Sequence, residues 1–156
     1  MTGTMTIEQR SAAGWLGRTL RCERGEATSR EAQVFGIAGR DPVLHVLRVL
    51  EVDGVPALVS RATYPGWLAA AIEPLPQDVS SIMASLEEGL ELVVEHSVQR
   101  VGAAAASGED ARLLGVRRSS PVLRVVRSVR DQRGTAIELA DDRYRPEHAP
   151  ERLVSA

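Results

Sequence analysis

The sequence predicts an α+β fold, a mostly antiparallel sheet of two related hairpins with helices packed on it, and three observations carry this. Two stretches about eighty residues apart share one pattern: Pro42, Val43, Leu44, Val46, Arg48, Gly54 and Tyr64 answer to Pro121, Val122, Leu123, Val125, Arg127, Gly134 and Tyr144. One extra residue has to be allowed in the second turn. Each stretch reads as two strands around a turn, at Asp53-Gly54 and at Asp131-Gln132-Arg133-Gly134. Helical segments are interspersed, yet the clearest strand pairs are hairpins, which favours α+β over a doubly wound parallel sheet. Such a sheet has approximate internal two-fold symmetry and no topological switch point to hold a nucleotide.

Taken in order, residues 1–12 are small and polar without a period and read as a loose lead-in. Gly14–Arg24 carries Trp15, Leu16, Leu20 and Cys22 and reads as a strand ending at Gly25. Ser29–Ile37 reads as a short helix capped by Thr28 or Ser29, with Gly39 beyond its end. Val43–Val52 and Val55–Thr63 are rich in β-branched residues and leucine, and Asp-Gly between them suits a type I′ turn. Pro65-Gly66 ends the pairing, because proline cannot donate to a ladder. Trp67–Ile72 then reads as a short helix or turn that lays Trp67 and Leu68 on the sheet.

Asp78 or Ser80 caps a helix expected to run to about His96, with Ile82, Leu86, Leu90, Val93 and Val94 as its buried stripe. Ser97–Ala106 reads as a strand, and Ala111–Leu114 as a helix that opens at Ser107 and stops at Gly115. The second hairpin follows. Residues 13–150 are expected to form one domain, with 151–156 as a tail and helices on one side of the sheet. A lone Cys22 among apolar neighbours is expected in the core, and His96 at a helix end.

Composition excludes several classes. Hydrophobic residues make up 44% and charged residues 26%, a balance suited to a globular domain. A net charge of −2 gives no field that favours nucleic acid. One cysteine and three scattered histidines offer no metal site. All 19 basic residues are arginine, which removes Schiff-base chemistry and the lysine-ending phosphate loop. Neither a signal peptide nor a membrane span is present in the pattern, so the cytoplasm is the expected compartment and no membrane partner is expected. No cofactor is expected.

The order of motifs resembles the UTRA-type effector-binding domain of HutC-subfamily GntR transcription regulators, a fold shared with chorismate lyase. Ala111-Arg-Leu-Leu-Gly-Val followed by Ser119-Ser-Pro-Val-Leu-Arg124 is similar to one family passage. Gly134-Thr-Ala-Ile-Glu138 through Tyr144 is similar to its second hairpin, and Asp53-Gly54-Val-Pro56 through Tyr64-Pro65 to its first. The resemblance runs from about Thr28 to His148. It implies a small-molecule sensor for a polar or anionic metabolite, acting by population shift and as a homodimer. Subfamily members carry a winged helix-turn-helix ahead of this domain, whereas here Met1 stands almost where the effector domain begins. Direct nucleic-acid binding by this chain is therefore not expected. The alternative is a free-standing chorismate lyase-like enzyme acting on a small carboxylate, with Glu138 as acid or base and Arg48 or Arg127 as carboxylate anchor.

Glu138 and Tyr144 fall on positions that contact ligand in the family, and Arg48 on the first of two family arginines. Leu50 stands where many members have the second, Ser60 where they have Glu, and Ala136 where they have proline. From the residues alone, each site keeps two readings. Arg127 and Glu138 either line a pocket or form a half-exposed cross-strand pair worth about 0–1 kcal/mol. Tyr144 either meets ligand or packs its ring at the sheet end. Arg48 either grips an anion or is a solvated strand residue, and Ser60 either serves a ligand or is polar filler. In the expected register Arg127 faces Glu138 and Val125 faces Ala140, with Leu123, Val129, Ala136 and Asp142 on the same face.

Overall fold

The computed structural model describes residues 14–149. The expected lead-in and tail lie outside the described residues. The elements are β1 (Trp15–Glu26), α1 (Ser29–Phe35), β2 (Pro42–Val52), β3 (Val55–Pro65), α2 (Ala69–Ile72), α3 (Ile82–Gly89), β4 (Val94–Ala105), α4 (Gly108–Leu114), β5 (Pro121–Asp131) and β6 (Ala136–Tyr144). Short 3₁₀ turns occupy Gly66–Leu68 and Pro146–His148. The six strands form one sheet in the order β1-β2-β3-β6-β5-β4, every pair antiparallel. Arg61 faces Asp141 where β3 meets β6, with Ser60 opposite Asp142 on one side and Ala62 opposite Ala140 on the other. The expected two-fold relation passes through this point.

The repeat is wider than two hairpins. Each half reads strand, helix, strand, strand, and the two helices are built alike. Thr28 caps α1 in a capping box with Glu31, and Ser107 caps α4 in a box with Asp110. In each box, the cap hydroxyl and the acid satisfy amides that the helix cannot. Gly36 and Gly115 close the two helices in the left-handed region. Gly36, rather than the expected Gly39, therefore ends α1.

Helices cover both faces of the sheet, not one. Leu44 and Val46 pack with Leu68, Ile72, Ile82, Met83 and Leu86 from α2, α3 and the turn before them. Alternation sends Leu47, Val49 and Val59 to the other side, where they meet Ala111 and Leu114 of α4. Val43 meets Ala27 and Ala32 at α1 on that same side. Fully burying a side chain of this size contributes roughly 1.5–3 kcal/mol.

Several expectations need correction. The helix expected to reach His96 ends at Gly89, and Leu90 is already extended. Glycine is the poorest non-proline helix former, and Gln132 then captures the next segment: it accepts from the Val93 amide at 2.8 Å and donates to the Glu91 carbonyl at 3.0 Å. His96 consequently sits on β4, opposite Arg130. Trp67 is 57% exposed, while Leu68 alone seats on the sheet. Cys22 lies exposed on edge strand β1, not in the core.

The second hairpin is shifted by two residues from expectation. Arg127 faces Ala140, Val125 faces Asp142, and Val129 faces Glu138. The turn is a three-residue loop, with Gly134 at φ 77 and the Asp131 amide donating to the Thr135 carbonyl. The Asp131 carboxylate accepts from the Arg133 and Thr135 amides, each at 2.9 Å. A shift of two preserves the face, so Leu123, Val125, Arg127, Val129, Glu138, Ala140 and Asp142 stay together as expected. The irregularity between Val129 and Arg130 pairs Ala136 with Arg130 instead, and Ile137 packs with Val129. The first hairpin follows its expected turn, with Asp53 at φ 51 and Gly54 at φ 77.

Candidate functional site

One face of the central strands holds an unusual set of buried polar groups. Across β2, β3 and β6, Arg48 pairs with Ser60 and Ser60 with Asp142. Arg127 and Glu138 reach the same region from β5 and β6. Arg48 is 7% exposed, Arg127 5%, Glu138 4% and Asp142 0%. Charges this deep have to be paired or served by something else, because an unpaired buried charge costs several kcal/mol.

Arg127 is fully served by its own hairpin. Its Nε and Nη2 donate to Glu138 Oε1 at 3.0 and 2.6 Å, and its Nη1 donates to Asp142 Oδ2 at 3.2 Å. Burial works against this guanidinium, yet Glu138 and Asp142 outweigh it and hold the group above its ordinary pKa. The other Glu138 oxygen accepts from the Tyr64 hydroxyl at 2.8 Å. Burial, then Glu138, pushes that phenol well up, so Tyr64 is a hydrogen-bond donor. Burial also raises Asp142, against the pull of Arg127 and a hydrogen bond from Ser60.

Arg48 is not served in this way. Its Nη2 donates to the Val79 carbonyl, and its Nε, buried, has no hydrogen-bond partner. Burial draws its pKa below the ordinary value, with Tyr64 and Glu138 pulling back. Position 17 permits this placement: a Cβ on Gly17 would collide with the Arg48 guanidinium as it passes beneath β1. The result is a cation aimed into a small cavity of about 40 Å³. Arg48, Ser60, Tyr64, Arg127 and Glu138 line it from the sheet, and Ser80, Ser81 and Met83 from the start of α3. Ser81 is the α3 cap and accepts from the Ala84 amide at 3.1 Å.

Four of the five expected site residues thus converge. Arg48, Ser60, Arg127 and Glu138 share the cavity, and the Arg127–Glu138 pair is buried rather than half-exposed at an edge. Tyr144 stands apart, packed with Leu50, Leu58 and Val125. Its counterpart in the repeat, Tyr64, takes the place beside Glu138. The sequence held a signal for this swap, since the repeat aligns the two tyrosines, but nothing in it says which one faces an acid. Ser80 was visible only as a helix-cap candidate beside Asp78, and Ser81, which is the actual cap, was missed. Among the described residues, no cluster of three or more His, Cys, Asp and Glu is placed to hold a metal ion, and no helix is long and apolar enough to cross a membrane.

Comparison with known proteins adds the following. A family model described as the UTRA domain matches residues 17–149. The HTH-type transcriptional repressor NagR of Bacillus subtilis (strain 168) is 27% identical over 120 residues, which cover 77% of this chain and 49% of that protein. The chain thus spans about half the length of this curated relative. PhnF from Mycobacterium smegmatis superposes with a TM-score of 0.83 at 23% identity, covering 91% of this chain and 63% of that one. The effector domain of PhnF gives 0.79 at 23% identity, with 85% and 82% covered. A GntR-family transcriptional regulator from Enterococcus faecalis V583 gives 0.75 at 22% identity, with 89% and 99% covered.

Proposed function

The chain belongs to the UTRA domain family, and on that premise we propose that it is the effector-sensing domain of a GntR/HutC-type transcription regulator, with its effector site at the Arg48–Glu138 cavity. The observation that carries the site is Arg48. A buried guanidinium with an unused Nε, facing a cavity, suits an anionic group that supplies the missing acceptor. Glu138 accepts through both oxygens and fixes Tyr64 and Arg127 around that group. Ser60 sits opposite Arg48 as a further polar contact. Tyr144 supports the floor from the neighbouring apolar cluster.

The cavity is far below the roughly 300 Å³ at which metabolite pockets begin, so occupation requires the segment ahead of α3 to move. That segment touches both the site and edge strand β1: the Val79 carbonyl meets Arg48, and the Gln77 carbonyl accepts from the Thr19 amide at 2.7 Å. Ligand binding thereby favours one arrangement of the β1 edge, and a partner domain or dimer mate reads that arrangement. We assign residues 13–150 to one ligand-binding domain that works in the cytoplasm as a homodimer and leaves DNA contact to another part of the regulator.

A thermal-shift screen of anionic metabolites tests this. A stabilising anion whose effect disappears in Arg48→Met and weakens in Glu138→Gln is the expected result. A ligand indifferent to both substitutions would move the effector site elsewhere.

A further inference from the structure

The two outer edges of the sheet are finished differently. At one end, β1 carries Arg18, Arg21, Glu23, Arg24 and Glu26. Its pairing with β2 breaks at a bulge between Thr19 and Arg21. The segment ahead of α3 also lies against it: the Thr19 amide donates to the Gln77 carbonyl, and Arg24 holds both oxygens of Glu73, each at 2.7 Å. Charge, a bulge and a covering loop are the means by which natural sheets keep an edge from pairing with another chain. At the other end, residues 97–105 of β4 pair regularly with β5, since the irregularity of this strand falls between Val94 and His96. Arg100 is the sole charge in that run, and no strand among the described residues pairs with its outer side.

The end of β4 shows which way its backbone groups point. The Ala106 amide donates to the Ser120 carbonyl, and the Ala106 carbonyl accepts from the Ser119 amide, so both face β5. Ala105 stands opposite Pro121, which has no N–H to give. Alternation therefore turns the amides and carbonyls of Val101, Ala103 and Ala105 away from the sheet. The side chains along this edge are apolar or small on both faces. Val98 is exposed on the α4 side and Val101 on the cavity side, followed by Gly102, Ala103 and Ala104. We infer that β4 is the edge at which two copies of this chain join, antiparallel about a two-fold axis, so that their sheets become one. A second copy is the occupant because, among the described residues, one edge is open and the other is closed. Two open edges would pair β1 of one copy with β4 of the next and propagate a filament, whereas a single open edge pairs with itself and stops at two. This rests on the effector reading above and assigns a surface to its homodimer. Arg127 stands opposite Gln99 of β4, so each cavity lies one strand from the joint, and the β1 edge is left to a partner domain.

Sedimentation velocity and amide hydrogen exchange of the 156-residue chain test this. A dimer is expected, in which the Val101 and Ala103 amides are protected and exchange faster as dilution separates the copies, while exchange along β1 stays constant. Val101→Pro removes an amide that faces away from its own sheet, and proline is tolerated at such an edge position. It should halve the sedimenting mass. A wild-type monomer, an assembly larger than two, or a dimer that survives Val101→Pro overturns the inference. So does a dimer in which the Val101 and Ala103 amides exchange alike at every dilution, and this wild-type measurement decides the matter even if the proline variant does not fold. The effector site fails or stands separately. An anion that stabilises a monomeric chain through Arg48 overturns the β4 joint alone, and a β4-joined dimer that answers no anion supports the joint while the effector site falls.

Discussion

The two halves of the sheet differ most where they are most alike. Arg48 on β2 and Arg127 on β5 occupy equivalent positions of the repeat, and both are buried on the same face. In the second half, β6 supplies Glu138 and Asp142 to Arg127. The equivalent positions of β3 are Leu58 and Ala62, so Arg48 receives no carboxylate from its own hairpin. One arginine is therefore a structural ion pair, complete within the fold. The other is a buried cation that lines a cavity and whose Nε is left without an acceptor. The repeat is kept where backbone geometry demands it, in the helix caps, the left-handed helix ends and the hairpins. It is broken at the cavity, where Arg48 is left without a carboxylate.

The largest effect expected from breaking this contrast is on stability, at Arg127. Arg127→Met leaves Glu138 and Asp142 buried without their cation and should cost about 3–5 kcal/mol, read as a lower urea midpoint. Arg48→Met removes a desolvated charge that no carboxylate contacts, so its stability should change by about 1 kcal/mol or less. Its effect belongs to binding instead: loss of a bond to a charged group should weaken an anionic effector by about 10- to 100-fold. Equal destabilisation by the two substitutions would show that Arg48 is structural as well.

The sequence made the hairpins and their symmetry legible because Asp-Gly, the repeated Pro-Val-Leu and strand alternation are local signals. Arg127 and Glu138 were legible as a face, since a register error of two residues leaves both on their own side, whereas Arg48 and Ser60 were reached through the family resemblance. The long helix to His96 was misread because Leu90, Val93 and Val94 continue a helical period, while the bonds from Gln132 that draw this segment toward β5 come from 39 to 41 residues away. Tyr64 was passed over for Tyr144 for a similar reason. Which tyrosine meets Glu138 depends on the pairing of β3 with β6, and no turn links those two strands directly.

The capping acids sharpen the comparison at a smaller scale. Asp110 is buried, which raises its pKa, but Arg61 and the Ser107 cap outweigh this and hold it below the usual carboxylate range. Glu31 is likewise lowered against burial by Thr28, Thr63 and His45. A depressed folded pKa contributes stability that is present above about pH 4 and lost as pH falls through the folded value. Asp142 has the opposite sign: with its folded pKa raised, protonation in acid favours the folded form. Asp110→Asn should therefore cost about 2 kcal/mol at neutral pH and Glu31→Gln about 1 kcal/mol. Both should make acid unfolding shallower, and the Asp110 effect should be larger because its partner Arg61 is charged and 2.7 Å away.

The two turns give the finest test of what the repeat conserves. The first turn is two residues long and needs only positive φ at Asp53 and Gly54, a demand asparagine meets as well as aspartate. Asp53→Asn should therefore leave the urea midpoint nearly unchanged. The second turn carries one more residue and is tied by the buried Asp131 carboxylate, which holds the amides of Arg133 and Thr135. Asp131→Ala frees both amides in a loop that water reaches, so the expected cost is only about 1 kcal/mol. This tie fixes the register that sets Val129 opposite Glu138, and through it the place of the carboxylate between Arg127 and Tyr64. Loss of Asp131 should consequently weaken effector binding more than its small stability cost suggests. An Asp53 variant should not do so, because the first hairpin places no acid in the cavity.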